Sequence, residues 1–154
     1  MIRRTPFGLL ALALLFLFTL SACASKQAPD TTVVVYKTPT CGCCGKWVEH
    51  LQKAGFTVTV HDMNDLSYIK SNNGVDGRIA SCHTALVDGY VIEGHVPAEQ
   101  IRRLLTERPD VTGLAVPGMP IGSPGMEVES GRVDPYDVLA FDRTGQTSVF
   151  AHVE

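Results

Sequence analysis

The strongest constraint on this chain is the stretch from residue 33 to residue 55, VVVYKTPTCGCCGKWVEHLQKAG. Val33 to Tyr36 form a β-branched run ahead of Pro39, the pattern of a buried strand. Trp47, Val48, Leu51 and Ala54 then recur at helical spacing, and the helix is expected to stop at Gly55. Three cysteines, Cys41, Cys43 and Cys44, therefore sit where a strand hands over to a helix. Such a cluster suits a disulfide switch, a soft-metal site or both.

The rest of the framework follows from period and turn chemistry. Thr57 to His61 alternates like a strand, and Asp65 to Asn72 can form a short helix ended by Asn73-Gly74. Thr84 to Val87 and Tyr90 to Glu93 read as strands joined by Asp88-Gly89, a strong hairpin signal. Pro97 opens a helix whose inner face is Ile101, Leu104 and Leu105. From Gly113 the chain reads GLAVPGMPIGSPGMEVES, too rich in Gly and Pro to suggest regular structure. Asp137 to Asp142 and Thr147 to Val153 then read as a closing hairpin around Thr144-Gly145, which pins the loop at both ends. A long pinned loop in a small domain suggests a lid.

The order strand, helix, strand, helix, hairpin, helix, with a Cys-x-x-Cys (Cys41, Cys44) at the first strand-to-helix turn, resembles a thioredoxin fold. The expected class is α/β, with the Gly/Pro/Met-rich loop and a C-terminal β-hairpin as extensions. A right-handed crossover makes the first two strands parallel. Cys41 then shares a sheet edge with the end of the second strand (His61, Met63), the start of the third (Cys82, His83) and the end of the fourth (His95). Where thioredoxins carry a cis-proline facing the cysteine pair, this chain has Ser81-Cys82-His83.

The N-terminus says where this chemistry operates. Arg3 and Arg4 precede an apolar run from Phe7 to Leu20, shorter than the roughly 20 residues of a membrane-spanning helix, which reads as a secretory leader. Leu20-Ser21-Ala22-Cys23 resembles the lipobox of bacterial lipoproteins, so residues 1–22 are expected to be removed and Cys23 acylated. Residues 23–32 read as a tether and 33–154 as one domain. The expected location is the periplasmic side of the cell envelope, lipid-anchored, at the outer rather than the inner membrane. Losing Arg3 and Arg4 from 13 basic residues leaves 11 against 16 acidic, a net charge of −5, which argues against nucleic-acid partners.

Five cysteines less Cys23 leave Cys41, Cys43, Cys44 and Cys82. Disulfide staples are the default outside the cytoplasm, yet bridges inside so short a turn constrain the unfolded chain little. A redox or metal role explains the crowding better. A helix start favours a Cys41 thiolate. Cys43 and Cys44 are adjacent, so Cys41–Cys44 is the easier disulfide, and Cys43 is superfluous to simple redox work. Thiolates with thioethers and imidazoles select Cu(I), and the set Cys41, Cys43, Cys44, Cys82, His83, His95, Met119 and Met126 exceeds what one tetrahedral ion needs. More than one copper ion is expected. Met119 and Met126 also suit apolar plugs, and His83 and His95 suit hydrogen-bonded structural histidines; their shared edge with the cysteines favours ligation. His50 lies two helical turns, roughly 10 Å, from Cys43 and is left out, as is His152. Trp47 reads as core.

TPTCGCCGKW, SCHTALVDGYVIEGHVPAEQIRRLL and GLAVPGMPIGSPGME together resemble the CopG family of periplasmic copper-resistance proteins. The resemblance implies a thioredoxin-like domain binding copper through the Cys-Gly-Cys-Cys turn, the Cys82-His83 loop and nearby His and Met residues. It also implies a part in interconverting Cu(I) and Cu(II); the Cys-x-x-Cys spacing makes Cys41 and Cys44 the expected redox pair. Two other functions stand beside that one: a thiol–disulfide oxidoreductase acting on proteins, and a non-enzymatic copper chaperone. Expected partners are copper ions, a copper exporter or an envelope redox protein, and the membrane through the lipid alone.

Overall fold

The computed structural model describes residues 32–154, so the expected leader, the expected acylation at Cys23 and the expected tether up to residue 31 lie outside the described residues. The chain order is β1 (Thr32–Lys37), α1 (Gly42–Lys53), β2 (Thr57–Asp62), α2 (Ser67–Asn72), β3 (Thr84–Val87), β4 (Tyr90–Glu93), α3 (Ala98–Glu107), β5 (Gly113–Ala115), β6 (Tyr136–Phe141) and β7 (Thr147–Val153). These seven strands form one sheet in the order β2-β1-β3-β4-β5-β6-β7. β1 and β2 are parallel, with Thr32 opposite Thr57 and Lys37 opposite Asp62. β3 runs antiparallel to both β1 and β4. That is the thioredoxin-like core, extended by β5 and by the C-terminal hairpin β6–β7.

Sequence spacing explains the two layers. In α1 the residues Cys44, Trp47, Val48 and Leu51 recur at helical intervals and are buried. In α3 Ala98, Ile101 and Leu104 do the same. Both helices pack against Val33, Val35, Ala85, Ile92 and Leu114 in the main core. Strand residues alternate faces, so Val91 points the other way and joins Val75, Ile79, Ala115 and Phe141 in a smaller core. Each fully buried Leu, Ile or Val contributes about 1.5–3 kcal/mol. Asp88 and Gly89 both take positive φ, 48° and 86°, the left-handed pair that the tight β3–β4 hairpin needs.

One expectation is corrected. Gly113–Ala115, read as the start of an irregular loop, is β5, which pairs parallel with β4 and antiparallel with β6. A Cβ on Gly113 would fall 1.8 Å from the Val91 carbonyl oxygen, so the glycine that argued against a strand is what lets two backbones meet. Because β5 is parallel to β4, its end reaches the same sheet edge as the end of β4. The loop from 116 to 135 starts from that edge.

Candidate metal centre

The cysteines at this edge arrive by two routes: Cys41, Cys43 and Cys44 at the turn from β1 into α1, and Cys82 on the approach to β3. Cys41 is the N-cap of α1, its N–H bonded to the Thr38 carbonyl, and Cys44 is buried one turn in. The two are joined by a disulfide, with Cα atoms 5.4 Å apart. That is the pairing the sequence favours, and in this form Cys41 is no thiolate. Cys43 and Cys82 are free. Cys43 Sγ lies 3.5 Å from Cys41 Sγ. All four sulfurs lie within 4.8 Å of one another, although Cys82 is 38 residues from Cys44.

A second group overlaps the first. Cys82, His83 and His95 also present ligand atoms within 4.8 Å of one another, so Cys82 belongs to both sets. His95 Nε2 is 3.1 Å from Cys82 Sγ, and His83 Nδ1 is 3.3 Å from it. His95 Nδ1 is 2.8 Å from the Pro124 carbonyl oxygen, which can only accept. Nδ1 therefore carries the proton, and Nε2 turns its lone pair toward the Cys82 thiol. Burial holds both imidazoles below their ordinary 6.5, His83 well below, and keeps them neutral. Burial, seconded by Cys43, pushes the Cys82 thiol up to about 12. His83 Nε2 is buried with no hydrogen-bond partner among the described residues. Four clustered sulfurs, two of them free thiols, with a His95 lone pair aimed at one and His83 Nδ1 beside it, fit a soft metal ion.

Trp47 is core, as its spacing implies, and also a wall of the site. Its ring lies 4.4 Å from that of His83, and its Nε1–H donates to the Val96 carbonyl at 2.9 Å. His50 does not join the sulfurs; its Nε2 accepts the Ala98 N–H at 3.1 Å. His61 is exposed and stacks on Tyr36, and His152 pairs with Asp137.

The glycine-rich loop passes over the edge. The Gly118 N–H donates to the Ala80 carbonyl and the Ser81 hydroxyl to the Gly118 carbonyl. A Cβ on Gly125, which has φ +88°, would lie 2.6 Å from the Cys43 carbonyl oxygen and 2.9 Å from the Trp47 nitrogen. Pro124 and Gly125 thus lie against His95 and the first turn of α1. Met126 is half-buried on this segment, while Met119 is 51% exposed.

Sequence reasoning missed Glu93 and Lys70. Glu93 is fully buried at the end of β4 and meets Lys70 Nζ at 2.5 Å. The available signal was a carboxylate closing YVIE, a strand that is otherwise apolar and buried throughout.

Comparison with known proteins adds to this geometry. The family described as "Protein of unknown function, DUF411" matches residues 79–126, a segment that holds Cys82, His83, His95, Met119 and Met126 but not the first three cysteines. No curated protein matches. Two solved structures do. "Copper resistance protein copG- Form 1" is 48% identical, with a TM-score of 0.74, covering 79% of this chain and 96% of its own. "Copper resistance protein copG- Form 2" is 47% identical, with a TM-score of 0.76, covering 81% and 99%.

Proposed function

The chain belongs to the CopG family of copper resistance proteins, and from that membership we propose that it binds Cu(I) and cycles copper between its two oxidation states. Copper is here cargo and redox substrate. The observation that carries the reading is the convergence of Cys41, Cys43, Cys44 and Cys82 within 4.8 Å, with Cys82 shared by His83 and His95. Reduced, the turn and Cys82 together offer four soft sulfurs, more than one ion requires, which favours copper bridged by thiolates over a single zinc. Met126 and Met119 complete the proposed ligand set from the loop.

The same turn supplies electrons. Closing the Cys41–Cys44 dithiol to a disulfide releases two electrons and two protons, and two Cu(II) ions each take up one electron to become Cu(I). Reopening the disulfide with electrons from an envelope reductant restores the dithiol for another reduction. The first step in reverse, two Cu(I) ions each giving one electron to the disulfide with uptake of two protons, would return copper to Cu(II). The leader and Cys23 support a lipid-anchored location in the envelope, which palmitate incorporation at Cys23 would test.

Anaerobic titration of the reduced protein, followed by metal analysis, tests the reading. Cu(I) should be taken up in preference to Zn(II) and at more than one ion per chain; equal affinity for zinc would remove the copper assignment. A second reading, thiol–disulfide exchange with other proteins, draws on the Cys41–Cys44 disulfide itself. It requires activity in metal-free protein. Binding without redox turnover would leave a chaperone that only carries the ion.

A further inference from the structure

Glu93 is the only buried acidic side chain among the described residues. It closes β4 directly opposite Thr84, the first residue of β3. Three donors from three places converge on its two oxygens. Oε1 accepts Lys70 Nζ at 2.5 Å and the Ser81 backbone N–H at 2.6 Å, and Oε2 accepts the Thr84 hydroxyl at 2.7 Å. Lys70, from α2, also donates to Thr84 Oγ1 at 3.1 Å.

Ser81 and Thr84 bracket Cys82 and His83. One carboxylate therefore ties down both ends of a four-residue segment whose middle two residues face the sulfur cluster. Ser81 precedes β3, so its N–H has no strand partner and depends on Glu93. An ammonium–carboxylate pair taken out of water is, as a rule, no more stabilising than apolar residues of the same volume. Stability alone does not account for its place here. Cys82 belongs to both ligand groups, so a shift of this segment would open both.

We propose that Glu93, neutralised by Lys70, is the positioning residue that fixes Cys82 and His83 for metal. The inference rests on the copper reading for its ligand but not for its geometry. Glu93 touches no metal; it acts through the Ser81 amide and the Thr84 hydroxyl, as partners of ligating residues do.

The test uses a Lys70→Met background, so that no ammonium is left unpaired, and compares Glu93→Gln with Glu93→Leu. Both lose the ion pair, and only Gln keeps an oxygen for the Ser81 N–H. Three quantities are read: the thermal midpoint, the ratio of Cys82 to Cys43 alkylation rates in metal-free protein, and Cu(I) affinity against a chelator. With similar midpoints, the Leu variant should lose about 10- to 100-fold in Cu(I) affinity and shift the alkylation ratio severalfold, while the Gln variant stays near the unaltered protein. Equal ratios and affinities in the two variants would reduce the pair to a structural one and overturn the proposal. Should either variant fail to fold, Thr84→Val keeps the ion pair and the Ser81 bond while removing the hydroxyl. It should shift the ratio and lower affinity by a smaller factor, and no change in either would equally overturn the proposal. If the unaltered protein takes up no Cu(I), the copper reading fails, and the alkylation ratio still decides the positioning role.

Discussion

Cys82 is the residue on which the site turns, because it is the only side chain common to the four-sulfur group and to the Cys82–His83–His95 group. Cys82→Ser should therefore lower copper stoichiometry or affinity about as severely as Cys44→Ser, measured by anaerobic titration; an unaffected variant would remove Cys82 from the site. Its protonation gives a second handle. Burial raises the Cys82 thiol to about 12, so near neutral pH the metal-free protein holds it as S–H against the lone pair of His95. A metal must displace that proton. The sign follows: higher pH removes the competing proton, and apparent Cu(I) affinity should rise with pH. Calorimetry in buffers of different ionisation enthalpy counts the protons released, and Cys82→Ser should release about one fewer. A count unchanged by that substitution would mean the sulfur never ligates. Of the residues assembled here, Cys41, Cys43 and Cys44 were legible from spacing. Cys82, His83 and His95 were legible through strand order and through the family resemblance of the stretch that holds them, since their own spacing marks no site. Glu93 and Lys70 were hidden because a buried charge pair depends on the register of β3 against β4 and on the docking of α2, neither of which leaves a periodic trace.

Elements were readable where a period or a turn had room to repeat itself. α1 and α3 show their apolar stripes over 12 and 10 residues, and the β3–β4 hairpin announces itself by Asp88-Gly89. β5 has three residues and no period, and its existence depends on a Gly at a backbone crossing that reads, in isolation, as a breaker. The loop that follows it is the element with the most to test. Gly125 lets the loop lie against α1: Gly125→Ala adds a Cβ against the Cys43 carbonyl at a φ of +88°, a strain of about 1–3 kcal/mol. Gly118→Ala is the control, since it also has positive φ, +68°, but nothing within 4 Å. Only the first should lift the loop from the site and speed Cu(I) transfer to a chelator; equal rates in the two would show that the loop does not cover the metal. Replacing Met119 and Met126 together by Leu keeps volume, so stability should change by less than about 1.5 kcal/mol. Cu(I) affinity should nonetheless fall through loss of the two sulfurs. Unchanged affinity would leave both methionines as apolar plugs, an outcome to which the exposure of Met119 already points more than that of Met126.

For the whole molecule, metal content and oxidation state compete for the same atoms. The Cys41–Cys44 bond removes two of the four clustered sulfurs, leaving Cys43 and Cys82 with the two imidazoles. A thiolate held by copper cannot at the same time be half of a disulfide, so copper loading and the Cys41–Cys44 bridge are alternative states of one turn. Linkage gives the size of the effect. Free Cu(I) at 100 times its dissociation constant for the reduced form stabilises that form by about 2.7 kcal/mol. For a two-electron couple that corresponds to a reduction potential about 60 mV more positive. In an oxidising envelope the metal-free protein should rest as the disulfide, and copper should hold the dithiol open. Oxidising the metal-free and copper-loaded proteins in parallel, releasing the metal in acid and alkylating the remaining thiols would show which cysteines were shielded, read by mass at Cys41, Cys43, Cys44 and Cys82. Protection of all four favours a thiolate-bridged, polynuclear centre. Protection of all but Cys43 favours a site built on the pair and Cys82. If copper protects none of them, the turn is a disulfide switch that happens to gather sulfur, and protein dithiols become its substrates in place of copper.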